Sequence, residues 1–157
     1  MTDVPKEPNV PQGSQLATLL ARRQEIADEQ ILKLRIPRWD EPEIVVSYRP
    51  VDPTEFAKSL KGLEGLKDPA EIAEASLDRN ADLLIWSCLG IEAKNPDAHW
   101  DGFDDTLAEA LGIELPTARK VCRQLFVTGG DLLATASKLC EWSGIANQKV
   151  AEGFSGE

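Results

Sequence analysis

The sequence predicts an α+β fold, mostly α: a single helical domain carrying one N-terminal β-hairpin. Three observations predict it. Strand-type alternation is clear in one stretch only, Ile31–Phe56, where Leu32, Leu34 and Ile36 alternate with Lys33 and Arg35, and Ile44, Val46 and Tyr48 repeat the pattern with Ser47 and Arg49 pointing the opposite way. Apolar residues at helical spacing flank that stretch on both sides. Two helix starts share one grammar, Asp52-Pro53-Thr54-Glu55 and Asp68-Pro69-Ala70-Glu71, each with a cap, a proline at the first helical position and a glutamate at the third.

In chain order, residues 1–13 carry three prolines and read as a flexible tail. The domain is expected over 14–146. Ser14 is placed to cap a first helix with Leu16, Leu19, Leu20, Arg23 and Ile26 on one face. The hairpin follows over 31–49, its strands joined by the proline-stiffened loop Pro37–Glu43 and the second strand stopped by Pro50. A lone hairpin is marginal in water, so helices must cover one face. Its edges remain open to another chain's strand, a partner's or a second copy's.

A short helix after Asp52 ends near Gly62–Gly65. The next is expected from Pro69 to about Ile91, roughly 35 Å long. Its stripe is Ala73, Leu77, Ala81, Leu84, Cys88 and Ile91, and Leu83-Leu84-Ile85-Trp86 marks the centre of the core. Glu92–Asp101 reads as a loop, Phe103–Gly112 as a short helix, and Leu115–Val127 as another with Ala118, Val121, Cys122, Leu125 and Phe126 facing inward. Gly129-Gly130 reads as a break, after which Asp131 caps a last helix burying Leu132, Leu133, Ala136, Leu139 and Cys140. Residues 147–157 are polar and read as a frayed tail.

Composition narrows the function. At 157 residues and 42% hydrophobic, the chain has enough material for one core. A net charge of −10 and a pI near 4.6 repel phosphate backbones and anionic lipid, so neither nucleic acid nor membrane is an expected partner. Cys88, Cys122 and Cys140 are widely spaced and odd in number, as reduced, buried thiols in a cytosolic protein would be. The longest apolar run, Leu83–Ile91, is far short of the ~20 residues of a spanning helix, and no leader opens the chain.

The motifs point away from chemistry. With Gly102 at the sixth position of a calcium loop, Asp97, Asp101 and Asp105 fall on ligand positions, but Ala108 stands where a bidentate glutamate is required. Asp104 and Asp105 read more simply as charges at a helix N-terminus. His99 is the only histidine; no nucleophile elbow, phosphate loop or zinc spacing accompanies it. No enzyme, catalytic residue, metal or cofactor is therefore expected. Leu107–Phe126 has helix-turn-helix spacing, with Arg119, Lys120 and Arg123 on one face. That face serves a DNA-binding regulator or pairs with the chain's own carboxylates. Trp39, Trp100 and Trp142 lie in polar surroundings, where an amphipathic ring marks a contact surface. With Ile44, Val46 and Tyr48 of the hairpin they form the candidate partner-binding set.

Three stretches, IPRWDEPEIVVSYRPVD, FDDTLAEALGIELPTARKVCRQLF and LCEWSGIANQKVAEGFSGE, resemble the short tail assembly chaperones of long-tailed bacteriophages, those of actinobacteria in particular. The resemblance spans about three quarters of the chain, all but the proline-rich start and residues 60–68. It implies a non-enzymatic viral protein, present in the host cytoplasm during infection and absent from the mature virion. Such a chaperone escorts the tape measure protein and keeps it soluble while the tail tube assembles. A frameshifted longer form recruits the tail tube protein. The readings from other classes are the helix-turn-helix regulator and a structural subunit of the particle.

Overall fold

A computed structural model describes residues 12–145; the expected tail at 147–157, and all but the last two residues of the expected tail at 1–13, lie outside them. The contacts divide the chain into two units, one ending at Ile31 and the other beginning at Leu32. The described residues of the first form helix α1 (Gln12–Glu29), which already includes Gln12 and Gly13 and places Ser14 inside the helix, not at its cap. From Gly13 to Gln30 every residue is exposed.

The second unit overturns the expected architecture. In place of one hairpin among helices, it contains a four-stranded antiparallel sheet in the order β1-β2-β3-β4. The strands are β1 (Leu32–Asp40), β2 (Glu43–Tyr48), β3 (Cys88–Lys94) and β4 (Ala98–Trp100). The predicted hairpin is present as β1 and β2, but the residues read as helix end and loop form a second hairpin, β3 and β4. Both edges of β2 are therefore taken. Leu34, Val46, Ile91 and Trp100 make one row across the four strands. Ile36, Ile44, Val46, Tyr48, Ile91 and Ala93 are buried, and the opposite face carries Lys33, Arg35, Glu92 and His99. This is the alternation of an antiparallel sheet packed on one side.

Between Arg35 and Asp40 the register shifts: four residues of β1 stand opposite Ile44 alone. Pro37 lies in this bulge and Arg38 has a φ of 75°. Arg35 braces it, donating to the Trp39 carbonyl at 3.1 Å and pairing with Asp40 and Glu43.

The helices among the described residues of this unit are α2 (Pro53–Ser59), continued by a 3-10 turn at Leu60–Leu63, then α3 (Pro69–Ser87), α4 (Asp105–Ala110), α5 (Ala118–Leu125) and α6 (Gly129–Trp142). Both Asp-Pro signals are real caps: Asp52 accepts from the Thr54 N–H at 2.8 Å and Asp68 from the Glu71 N–H at 3.2 Å. Asp104 caps α4, accepting from the Leu107 N–H at 2.9 Å. Thr128, not Asp131, caps α6, so Gly129 and Gly130 begin a helix instead of breaking the chain. A Cβ on Gly129 would stand 3.0 Å from the Leu77 Cδ2, so the glycine lets the start of α6 close on α3.

α3 stops at Ser87, four residues before its expected end, because Cys88–Lys94 is the partner that β2 needs on its second edge. Its inner face also differs from the expected stripe. Leu83, Leu84 and Ala81 are buried, but so are Ser76, Arg79, Asn80 and Ser87, whereas Ala73 and Trp86 are exposed. The expected inner faces of α5 and α6 hold: Val121, Leu125, Leu132, Ala136, Leu139 and Cys140 are buried, with Ala118 and Leu133 packed against them.

Candidate functional site

The six residues expected to form a contact surface separate on folding. Ile44, Val46 and Tyr48 lie in the core, with Tyr48 0% exposed, and none can meet a partner without unfolding the sheet. The alternation that made them one apolar face aimed that face at the protein's own helices. The Tyr48 hydroxyl is buried with no hydrogen-bond partner, and desolvation holds its pKa well above the ordinary value, with the Cys122 and Cys88 thiols adding to the effect.

Trp39 is half-buried and committed. Its indole N–H donates to the Leu125 carbonyl at 2.7 Å, near the end of α5. Beside it the Arg38 Nε donates to the Asp131 Oδ2 at 2.7 Å, in the first turn of α6. This hydrogen bond holds the Asp131 carboxyl below its usual range, and the Thr128 hydroxyl assists. The bulge in β1 thus clamps the strand to the helices, and Trp39 is a fastener within the fold. Trp100 is half-buried against the core. Only Trp142, 37% exposed at the end of α6, keeps an open face.

The basic helix has a use of its own. Glu74, Asp78 and Asp82 lie at helical spacing along α3, and α5 lays Arg119 and Arg123 against them. Arg119 binds both Asp82 oxygens, from Nε at 2.8 Å and Nη2 at 2.7 Å, in a two-toothed pair. Arg123 bridges Glu74 and Asp78, reaching the Asp78 Oδ1 at 3.2 Å. The hydrogen bond from Arg123 lowers the Glu74 carboxyl from its ordinary value. Lys120 donates to the Leu115 carbonyl at 3.0 Å. A phosphate backbone at this face would have to displace carboxylates, so the arginines read as internal ties.

Titratable groups offer little chemistry. Cys122 and Cys140 are buried and Cys88 half-buried; burial raises all three thiols, Cys88 and Cys140 to about 11, away from the thiolate that reacts. His99 stands 3.5 Å from Asp101 on the outer face of the sheet. Among the described residues no group of three His, Cys, Asp or Glu side chains is gathered as metal ligands.

The surface that sequence reasoning passed over is α1. Leu16, Leu19, Leu20 and Ile26 recur at spacings of three, one and six, all on one side of the helix, and Leu19 is 68% exposed. Their periodicity was legible, but the same spacing ordinarily marks the inner face of a packed helix. The helix is held by local contacts: Thr18 donates to the Ser14 carbonyl, Gln24 to Asp28, and Arg22 pairs with Glu25.

No family model, no curated protein and no solved structure matches the chain. Among the described residues no helix is long and apolar enough to cross a membrane.

Proposed function

We propose that the protein is a non-enzymatic tail assembly chaperone of a long-tailed bacteriophage. It binds the tape measure protein in the host cytoplasm and keeps it soluble while the tail tube polymerises, and it is not retained in the virion. A frameshifted longer form supplies the link to the tail tube protein. The reading rests on the sequence resemblance, and one observation carries it further: an 18-residue helix, α1, presents leucines along one side with every described side chain exposed.

A tape measure protein is long and helical, so an apolar helix face is the natural counterpart to its apolar stripes. Burying Leu16, Leu19, Leu20 and Ile26 gains about 1.5–3 kcal/mol each before losses. Association costs about 4–15 kcal/mol, so one contact is weak and many copies along a repetitive partner hold together. The −10 charge keeps such a coated complex dispersed. The contact surface moves accordingly, from the hairpin to α1, with Trp142 a further exposed ring.

Co-expression tests this. A tape measure fragment that aggregates alone becomes soluble with the wild-type chain, and Leu16→Glu with Leu19→Glu abolishes that rescue while thermal melting stays unchanged. Absence of rescue by the wild-type chain removes the chaperone reading. Rescue that survives the double substitution removes α1 as its surface.

A further inference from the structure

The two neighbouring arginines of α1 differ in their surroundings. Arg22 pairs with Glu25 at 3.4 Å, one turn along the helix. For Arg23 the residues three and four positions away on either side are Leu19, Leu20, Ile26 and Ala27, so no carboxylate stands where a helical neighbour could reach it. Glu25, Asp28 and Glu29 fall on the far side of the helix. Among the described residues Arg23 makes no ion pair. Its guanidinium is therefore rooted in the middle of the apolar side that Leu16, Leu19, Leu20 and Ile26 form, and all of these residues are exposed.

In the free chain Arg23 is exposed and water solvates its charge. Covering the stripe changes that. An apolar surface laid over Leu19, Leu20 and Ile26 takes the guanidinium out of water; a buried unpaired charge is costly, and arginine does not escape by losing its proton. A second copy of α1 fits badly. Parallel and in register, it sets Arg23 against Arg23; antiparallel with Leu19 opposite Ile26, it sets Arg22 against Arg23. Like charges facing each other across a helical seam work against pairing. A carboxylate in the partner's own stripe removes the difficulty, because a guanidinium fork and a carboxylate form two parallel charge-assisted hydrogen bonds.

We propose that α1 takes an amphipathic helix whose apolar stripe is interrupted by one glutamate or aspartate, and that Arg23 is the residue that selects it. The leucines supply contact area, and Arg23 fixes register: a helix slid by one turn along α1 loses the pair and leaves both charges covered and unmatched. A stripe that is apolar throughout, or that carries a lysine, is held less well for the same reason. The inference rests on the chaperone reading, in which α1 is the contact surface, and states which segments of a long helical client that surface holds.

The test titrates the purified full chain into three labelled peptides of about three heptads each, alike except for Glu, Gln or Lys at the central position of a leucine stripe. Binding is read by fluorescence anisotropy. The glutamate peptide is expected to bind about tenfold more tightly than the glutamine one, the gain of a charge-assisted hydrogen bond, and the lysine peptide more weakly than both. That order runs against the chain's net charge of −10, so general attraction does not produce it. Arg23→Glu exchanges two good helix formers at an exposed position; melting stays unchanged and the order reverses, with the lysine peptide binding best. Leu19→Glu removes binding of all three. Equal binding of the three peptides, an order unaltered by Arg23→Glu, or no binding at all would overturn the inference. So would a wild-type chain that sediments as a dimer and becomes monomeric in Leu19→Glu, which assigns the stripe to a second copy. The chaperone reading fails separately, when the wild-type chain does not rescue the tape measure fragment. Rescue that persists in Arg23→Glu leaves that function standing and removes Arg23 as its selector.

Discussion

α1 and α3 are helices of nearly equal length, 18 and 19 residues, and they have opposite fates. α1 carries leucines at spacings that ordinarily face a core, yet all its described side chains are exposed. α3 buries Ser76, Arg79, Asn80 and Ser87 beside its leucines and also supplies the acidic ridge that ties down α5. Hydrophobic spacing alone therefore does not say which helix is central. What distinguishes α3 is its connections: a side-chain cap at its start, a strand growing from its end, and carboxylates paired with the arginines of α5. α1 has its own local hydrogen bonds and an apolar side left for something else.

The largest test of that contrast is Leu84→Asp. It places an unpaired charge at a fully buried position of α3, at a cost of several kcal/mol against a total stability of about 5–15 kcal/mol. Loss of the cooperative melting transition by circular dichroism is expected. A folded variant with normal melting would mean that α3 is not the central helix.

Next comes the polar content of the core itself. Tyr48→Phe removes a buried hydroxyl that has no partner, so chemical denaturation should show unchanged stability or a gain of up to about 1 kcal/mol. A loss above that size would mean that the hydroxyl is bonded in solution.

Smaller effects are expected at the ridge. Arg119→Ala breaks the two-toothed pair with Asp82 at a partly exposed site and should cost about 1 kcal/mol in the same assay. Its acid dependence has a definite sign. Glu74, bonded by Arg123, and Asp131, bonded by Arg38, titrate lower in the folded protein than their ordinary values of 4.5 and 3.8. The stability they contribute is complete above those values and is lost as pH falls through the lower folded ones. Arg38→Ala with Arg123→Ala should therefore flatten the fall of melting temperature below about pH 4.5, the ordinary Glu value. An unchanged slope would show that these carboxylates are not the ones titrating.

The smallest expected effect is the converse of the first. Leu19→Asp in α1 should shift stability by less than about 0.5 kcal/mol, the usual size for an exposed site. Thermal melting alongside Leu84→Asp places the two helices on one scale.

Much of this was legible in the residues. The β1–β2 strands, both Asp-Pro caps, Asp104 at the start of α4 and the inner faces of α5 and α6 follow from spacing and capping chemistry. The second hairpin was not read, although its signal is present: Ile91-Glu92-Ala93-Lys94 alternates, and Asn95-Pro96 is turn chemistry. The run Leu83–Ile91 hid it, because a short apolar stretch fits a buried helix and a buried strand equally, and here it changes from one to the other at Ser87–Cys88. Bulge geometry lay beyond reach as well. Sequence marks Trp39 as an amphipathic ring in a stiff loop, but only the fold brings the Leu125 carbonyl to its indole. Ile44, Val46 and Tyr48 were correctly placed on one face and wrongly aimed outward, because the core they join is completed by residues of helices distant in sequence.

The interruption in β1 has a consequence for behaviour at high concentration. A sheet edge recruits foreign strands when it offers a long, uninterrupted series of backbone donors and acceptors. Here the regular part of that edge spans only Leu32–Arg35 before proline and the left-handed arginine turn it aside, and β4 at the other margin is three residues long. Neither margin is a template for runaway polymerisation into fibrils. The chain can therefore accumulate without its sheet seeding aggregates, and contact with other molecules is left to side chains instead of an added strand.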